Sequence, residues 1–330
     1  MDPYRNSKTY YNLDMVRVSS GEILTVYGNY DGPWFRARLS FYRSATGSSK
    51  IDGLVYEKVK YDVGYHLGGY EKLLDLPGEQ HFRIHRSRVE HVYRPPESIE
   101  GLPHEYRKTC GSLIEFLWRS CGIGKERHGL AGSAALHCIR RDSDLDWVIY
   151  EPYSACVKST IVENPMFVPT LTFTMAHAYR KCSVFKGLKQ EHLDALIEDR
   201  WKYFRYGGAP ISLNFVDTAP RADPFLRVPT CGKRFVARAR VIECSGSYDM
   251  PKLFPVECDG RVLHVLTWLF MYNGAFQNDD MVEIAGSVVE IGGQEYILVE
   301  STNDYIRNIS AEERKRYAKL SRRDQDRTSE

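Results

Sequence analysis

The sequence predicts an α/β (α+β) protein in which a core with a mixed sheet and flanking helices lies between two strand-rich parts. Three observations carry that reading. Short runs of β-branched and aromatic residues recur before residue 100 and again after 229; apolar residues follow helical spacing over 106–121; and between the strand-rich parts, strand-like and helix-like runs alternate. The expected parts are a β-rich N-terminal domain at 1–100, the core at 101–225, a small barrel-like domain at 226–308 and a charged tail at 309–330.

Along the chain, GEILTVYGNYDGPWFRARLSFYR reads as strand broken at Asp31, Gly32 and Pro33, and VYEKVKYDVGYH repeats the pattern. The two runs are expected to pair across the polar loop SATGSSKIDG. RPPESIEGLP at 94–103 reads as a linker, because adjacent prolines continue neither a ladder nor a helix. Tyr106, Cys110, Leu113, Ile114, Leu117, Trp118 and Cys121 then mark one amphipathic helix, capped by Gly122 or Gly124. RHGLAG suits a strand, GSAALHCI the start of a helix, and DLDWVIYEP a second strand that stops at Pro152. LKQEHLDALIEDRWKYF predicts a helix carrying Leu188, Leu193, Leu196, Ile197, Trp201 and Phe204, and ISLNFVD at 211–217 a third strand. KRFVARARVIEC and DDMVEIAGSVVEIGGQEYILVES return to strands, with a hairpin at Gly292 and Gly293 and closure into a small barrel. The last residues, AEERKRYAKLSRRDQDRTSE, read as a frayed helix or tail. No internal repeat is visible.

The 45 basic and 43 acidic residues leave a formal charge of +2, so the global charge gives no reason to expect nucleic-acid binding. No apolar run reaches the roughly 18 residues of a membrane span, and MDPYRNSKTYYNLD has no signal-peptide pattern, so no membrane partner is expected. Cysteines at 110, 121, 138, 156, 182, 231, 244 and 258 form no CxxC pair, which suits reduced thiols in a cytoplasmic protein.

The chemistry concentrates in GLAGSAALHCIRRDSDLDWVIY, residues 129–150. Side chains alternate along a strand, so Asp144 and Asp146 share one face while Leu145 and Trp147 take the other. Two adjacent carboxylates repel unless a cation lies between them, and hard oxygen ligands suit magnesium, with manganese as the substitute ion. Upstream, Gly132 and Ser133 sit where a strand turns into a helix, and glycine there lets backbone amides approach a phosphate. Taken alone, the acid pair is also what a solvated strand edge carries, and the serine what a helix N-cap carries. Together they describe metal-assisted phosphoryl or nucleotidyl transfer.

Gly-Ser and Asp-Leu-Asp with ten residues between them, set between a helix and an apolar strand, resemble the nucleotidyltransferase motif of the DNA polymerase beta superfamily. The elements over roughly 105–217 follow that family's core order. The chain as a whole resembles a group of uncharacterised, chiefly archaeal predicted nucleotidyltransferases with β-rich flanking segments. The resemblance implies that Gly132 and Ser133 hold the triphosphate and that Asp144 and Asp146 hold magnesium. It further implies transfer of a nucleoside monophosphate from a nucleoside triphosphate such as ATP, with release of pyrophosphate, to RNA, a protein hydroxyl or a small molecule. Active members usually carry a third carboxylate on a later strand. In ISLNFVD the in-phase residues are Ser212 and Asn214, with Asp217 at the end, so Asn214 and Asp217 are the candidates for that position. An asparagine can ligate a metal but cannot act as a base, which opens a second reading: an impaired nucleotide- or RNA-binding module on the same core.

Arg140 and Arg141 are further candidates to reach phosphate, as is Lys181 in the basic stretch YRKCSVFKGLK, which also holds Arg180, Lys186 and Lys189. His81 and His85 have i, i+4 spacing but strand-like surroundings, which argues against zinc.

Overall fold

The computed structural model describes residues 8–59, 65–76, 79–140, 143–150, 152–169, 187–198, 201–219, 222–226 and 232–314. The chain forms two compact units. The first comprises Met1–Thr174, Trp201–Arg227 and Tyr248–Pro251, and the second Met175–Arg200, Val228–Ser247 and Lys252–Glu330.

The first unit opens with an antiparallel sheet of β1 (Met15–Val18), β2 (Ile23–Val26), β3 (Trp34–Arg43), β4 (Ser49–Ile51), β5 (Leu54–Lys58), β6 (Glu71–Leu76), β7 (Glu79–His85) and β8 (Val89–Tyr93). Its longest strand, β3, alternates in sequence and buries Phe35, Ala37, Leu39 and Phe41, pairing in turn with β7, β2 and β5. The expected pairing across SATGSSKIDG is present, with Phe41 opposite Lys58 and Arg43 opposite Tyr56. That loop itself supplies β4, because Asp52 and Gly53 at positive φ turn the chain back onto β5.

Arg36 lies on the other face of β3, between Trp34 and Arg38, and is fully buried. Its Nε donates to His81 Nδ1 at 2.9 Å, and His81 Nε2 lies 3.1 Å from Glu79 Oε2. Burial, with the neighbouring Arg36 charge, pushes the His81 pKa down to about 3. The ring is therefore neutral, its Nδ1 lone pair is used by Arg36, and its Nε2 hydrogen faces Glu79. No ring nitrogen remains for zinc.

The stretch 94–103 is not a linker but part of the fold. Pro95–Glu97 forms a 3-10 turn, Ser98 Oγ donates to the Pro95 carbonyl at 2.6 Å, and the same oxygen accepts the Leu130 N–H at 3.0 Å. Prolines suit this corner because they fix φ and bring no amide hydrogen that would need a partner. α1 (His104–Cys121) follows, buries Cys110, Leu113 and Leu117, and stops at Gly122, whose φ is 70°. Trp118 departs from the expected stripe: it is 59% exposed and lines a surface cavity of about 710 Å³ with Ile99, Ile114 and Lys125.

Next come β9 (His128–Leu130), α2 (Gly132–Ala135), β10 (Leu145–Tyr150), α3 (Ser154–Glu163) and β11 (Val168–Pro169); β12 (Tyr203–Tyr206) and β13 (Ala209–Val216) complete the second sheet. Its order is β11-β12-β13-β10-β9, and it is mixed: β10 and β13 run parallel, the other neighbours antiparallel. Leu145, Trp147 and Ile149, with Ile211, Leu213 and Phe215, join the cluster that contains the buried residues of α1 and α3. Val148, Tyr150 and Val216 belong to another cluster, with Tyr11, Leu13 and Ala131. α2 is a single turn rather than the longer helix expected of GSAALHCI. Ala135 and Leu136 are drawn into a cluster with Met15, Ile23, Phe41, Ile51 and Tyr56, and His137 leaves at a left-handed φ of 52°.

The helix expected over 188–204 is also shorter. α4 (Gln190–Glu198) is its helical part, while Trp201 lies in a turn and Phe204 in β12. α4 belongs to the second unit, beside β19 (Tyr305–Asn308). The rest of that unit is β14 (Lys233–Val241), β15 (Lys252–Cys258), β16 (Arg261–Thr267), β17 (Met281–Ile291) and β18 (Gln294–Leu298). The order β14-β15-β16-β18-β17 returns to β14, a closed five-stranded barrel as expected, and β19 pairs on β17. Gly292 and Gly293, at φ of 61° and 81°, make the β17 to β18 hairpin. The tail begins anchored: 309–314 are helical, Asn308 Oδ1 accepts the Ala311 N–H at 2.9 Å, and Arg314 reaches Asp280 at 2.6 Å. The remainder, 315–330, lies outside the described residues. Among the described residues no helix is long and apolar enough to cross a membrane.

Candidate functional site

The sequence brings Asp144 and Asp146 to the opening of β10, on either side of buried Leu145. Both are partly buried. Gly132 has a φ of +61°, and a Cβ built there would run into Asp146 Oδ2. The glycine thus does two things: it adopts a left-handed turn, and it leaves room for a carboxylate to lie against the backbone. The Ala131 N–H donates to the Asp146 carbonyl at 2.9 Å, tying the turn to the strand. Ser133 follows within α2, and its carbonyl accepts the Cys138 N–H at 3.0 Å. Gly132, Ser133, Asp144 and Asp146 therefore share one corner. A one-turn α2 has little macrodipole, so any attraction for phosphate there comes from the amides of the turn.

The acid pair is electrostatically frustrated. Burial, and then the charge of Asp144, push the Asp146 carboxyl up to about 7, against the pull of Lys58 and Arg38. Those two cations come from β5 and β3, so the N-terminal sheet supplies positive charge to the corner. Sequence reading missed both residues. Strand periodicity assigns a side chain to a face but does not say which carboxylate that face will meet.

Arg140 turns toward β4 and not toward the Gly-Ser turn. Its Nη2 donates to Ser48 Oγ and, at 3.4 Å, to Ser49 Oγ, while its own carbonyl accepts from the Tyr106 hydroxyl at 3.2 Å. Arg141 and Lys181 lie outside the described residues, as do Arg180 and Lys186.

Register places the candidates on β13. Ser212 on β13 stands opposite Asp146, and Asn214 opposite Val148. Both are buried, and Asn214 Nδ2 donates to the Ser212 carbonyl at 3.2 Å. Asp217 is corrected as a candidate: it lies five residues beyond Ser212 on the parallel strand, which at roughly 3.3 Å per residue is about 16 Å along the sheet. Its Oδ1 instead accepts the Ala219 N–H at 3.0 Å.

Among the described residues no three His, Cys, Asp or Glu side chains converge on a metal position. Two carboxylates nevertheless suit magnesium, which keeps several waters and takes one or two carboxylates together with substrate phosphates. Burial, and then the Asp144 charge, hold the Asp146 proton, and a divalent cation at the pair would offset both. The residues fit magnesium or manganese arriving with a triphosphate, and do not fit a closed protein cage. Comparison of the chain with protein families, curated proteins and solved structures finds no match.

Proposed function

We propose that this protein is a magnesium-dependent nucleotidyltransferase of the DNA polymerase beta superfamily type, acting in the cytoplasm. The observation that carries the reading is the contact between Gly132 and Asp146: a Gly-Ser turn and an Asp-Leu-Asp strand, with ten residues between them in sequence, meet at one corner. The turn amides after Gly132, with the Ser133 hydroxyl, would hold the triphosphate, and Lys58 and Arg38 would offset its charge. Asp144 and Asp146 would hold magnesium, which when bound neutralises phosphate charge and orients the α-phosphate. In the reaction an acceptor oxygen bonds to the α-phosphorus, the bond to the β-phosphate oxygen breaks, and pyrophosphate leaves. Asn214 cannot take the acceptor's proton, which passes to solvent. The acceptor is RNA, a protein hydroxyl or a small molecule.

A specific observation favours the second reading, a module that binds nucleotide or RNA without transfer. The strand beside β10 presents Ser212 and Asn214 where a third carboxylate would stand, and Asp217 is too far along the sheet. One experiment separates the two. Pyrophosphate release and nucleotide binding are measured with each ribonucleoside triphosphate and magnesium, in the presence of RNA, protein and small-molecule acceptors. The wild type is compared with a variant carrying Asp144→Asn and Asp146→Asn. Release that is lost in the double variant supports transfer, magnesium-dependent binding without release supports the module, and a folded protein showing neither overturns both.

A further inference from the structure

The end of α1 and the first turns of α3 bring two thiols together in the helical layer. Cys121, the last residue of α1, faces α3 on the side that carries Cys156: its Sγ lies 3.3 Å from Thr160 Oγ1, one turn beyond Cys156. Cys156 Sγ donates to the Ser120 carbonyl at 3.8 Å. Both thiols are free, Cys121 partly buried and Cys156 exposed. The helices that carry them are held together by a shared apolar cluster, which includes Leu117 of α1 and Val157 and Ile161 of α3. Two cysteines cannot be bridged when their side chains point apart; here each sulfur reaches across to the other's helix, Cys121 to Thr160 and Cys156 to Ser120.

We infer that Cys121 and Cys156 form a reversible redox site, oxidised to an intramolecular disulfide by low-molecular-weight disulfides such as oxidised glutathione. Exposed Cys156 reacts first. Its thiolate attacks one sulfur of the reagent, the reagent's S–S bond breaks, and one glutathione leaves as a thiolate that takes up the proton Cys156 lost. Cys121 then attacks Cys156 Sγ, and the second glutathione departs with the proton from Cys121. Two protein thiols lose two electrons, and the reagent disulfide gains them. Burial, followed by the contact with Cys156, pushes the Cys121 thiol up to about 11, so the second step is the slow one.

The position of the bond gives it consequence. The ring it closes runs from 121 to 156 and contains Gly132, Ser133, Asp144 and Asp146. Oxidation would tie the two ends of that whole segment together, whatever the corner binds.

The test is equilibration of the reduced protein with millimolar oxidised glutathione, followed by peptide mapping without reductant and thiol counting on the denatured chain. The expected result is a peptide pair joined through Cys121 and Cys156, loss of both thiols, reversal by dithiothreitol, and a melting temperature several degrees higher than that of the reduced form. Cys121→Ser should stop at a glutathione adduct on Cys156, and Cys156→Ser should leave Cys121 unmodified. Wild-type protein that keeps a stable adduct on Cys156 with Cys121 free, or keeps both thiols free, overturns the proposal. The mapping on wild-type protein decides even if a variant fails to fold.

Discussion

At the scale of single residues, two positions combine backbone or charge strain with a defined neighbour. Gly132→Ala adds a Cβ at a left-handed φ and against Asp146 Oδ2. The variant should lose about 1–3 kcal/mol of stability, and its affinity for magnesium nucleotide, followed by calorimetric titration, should fall more than tenfold if the corner is the binding site. Asp14 is the second position. It is fully buried, Oδ2 accepts the Tyr11 N–H at 3.0 Å, and Oδ1 has no hydrogen-bond partner among the described residues. Burial, opposed by Arg94, raises its pKa to about 7. Between the unfolded value near 4 and the folded value near 7, the folded chain holds a proton that the unfolded chain releases, so stability falls as pH rises through that window. The loss from this group is at most about 4 kcal/mol and is complete above neutrality. Asp14→Asn should remove this group's share of the slope and leave that of Asp146, so that the variant gains on the wild type between pH 4 and pH 8. An unchanged slope across a series of thermal melts would show that Asp14 is charged throughout.

At the scale of elements, the corner between 94–103 and β9 is the sharpest case. A Cβ at Gly129 would overlap the Pro95 carbonyl carbon. Gly129→Ala should therefore cost about 1–3 kcal/mol, measurable by urea denaturation, whereas a true linker would tolerate it. Inside the second sheet, Trp147 Nε1 donates to Nδ1 of buried His128 at 3.2 Å. Burial pushes His128 down to about 4, so the ring is neutral at ordinary pH and serves as a structural acceptor. Trp147→Phe should lose about 1–3 kcal/mol through that unpaired acceptor, again read from the denaturation midpoint. Elements with a strong local period were legible in advance: α1 from its apolar stripe and Gly122, β3 from its alternation, the β17 to β18 hairpin from its two glycines. α2 and the 188–204 helix were not, because their ends are set by where Leu136 and Phe204 find apolar partners, a tertiary matter.

At the scale of the molecule, residues 1–100 and the second sheet share their apolar clusters. Met15, Ile23 and Phe41 pack with Ala135 and Leu136, and Tyr11 and Leu13 with Val148 and Val216. Expressed alone, 1–100 should lack a cooperative thermal transition, since these residues would face water. A sharp transition in that fragment would show that its own sheet suffices. The second unit is a closed barrel with α4 beside it, and its strands find their partners within the unit. The proposed site, by contrast, needs both sheets of the first unit: carboxylates from β10 and cations from β3 and β5.

The sequence by itself determined what is local. Period-two and helical spacing fixed most strands and α1, and the ten-residue interval between the Gly-Ser and Asp-Leu-Asp motifs singled out Gly132, Ser133, Asp144 and Asp146. Only the tertiary structure decided the rest: that Ser212 and Asn214, and not Asp217, stand beside the acid pair; that Lys58 and Arg38 oppose it; that Arg140 braces β4; and that Cys121 and Cys156 come to one helix seam. The reason is range. Backbone sterics and side-chain alternation act over a few residues, whereas electrostatic and thiol partners here are 35 to more than 100 residues apart in sequence, and are brought together only when apolar faces pack.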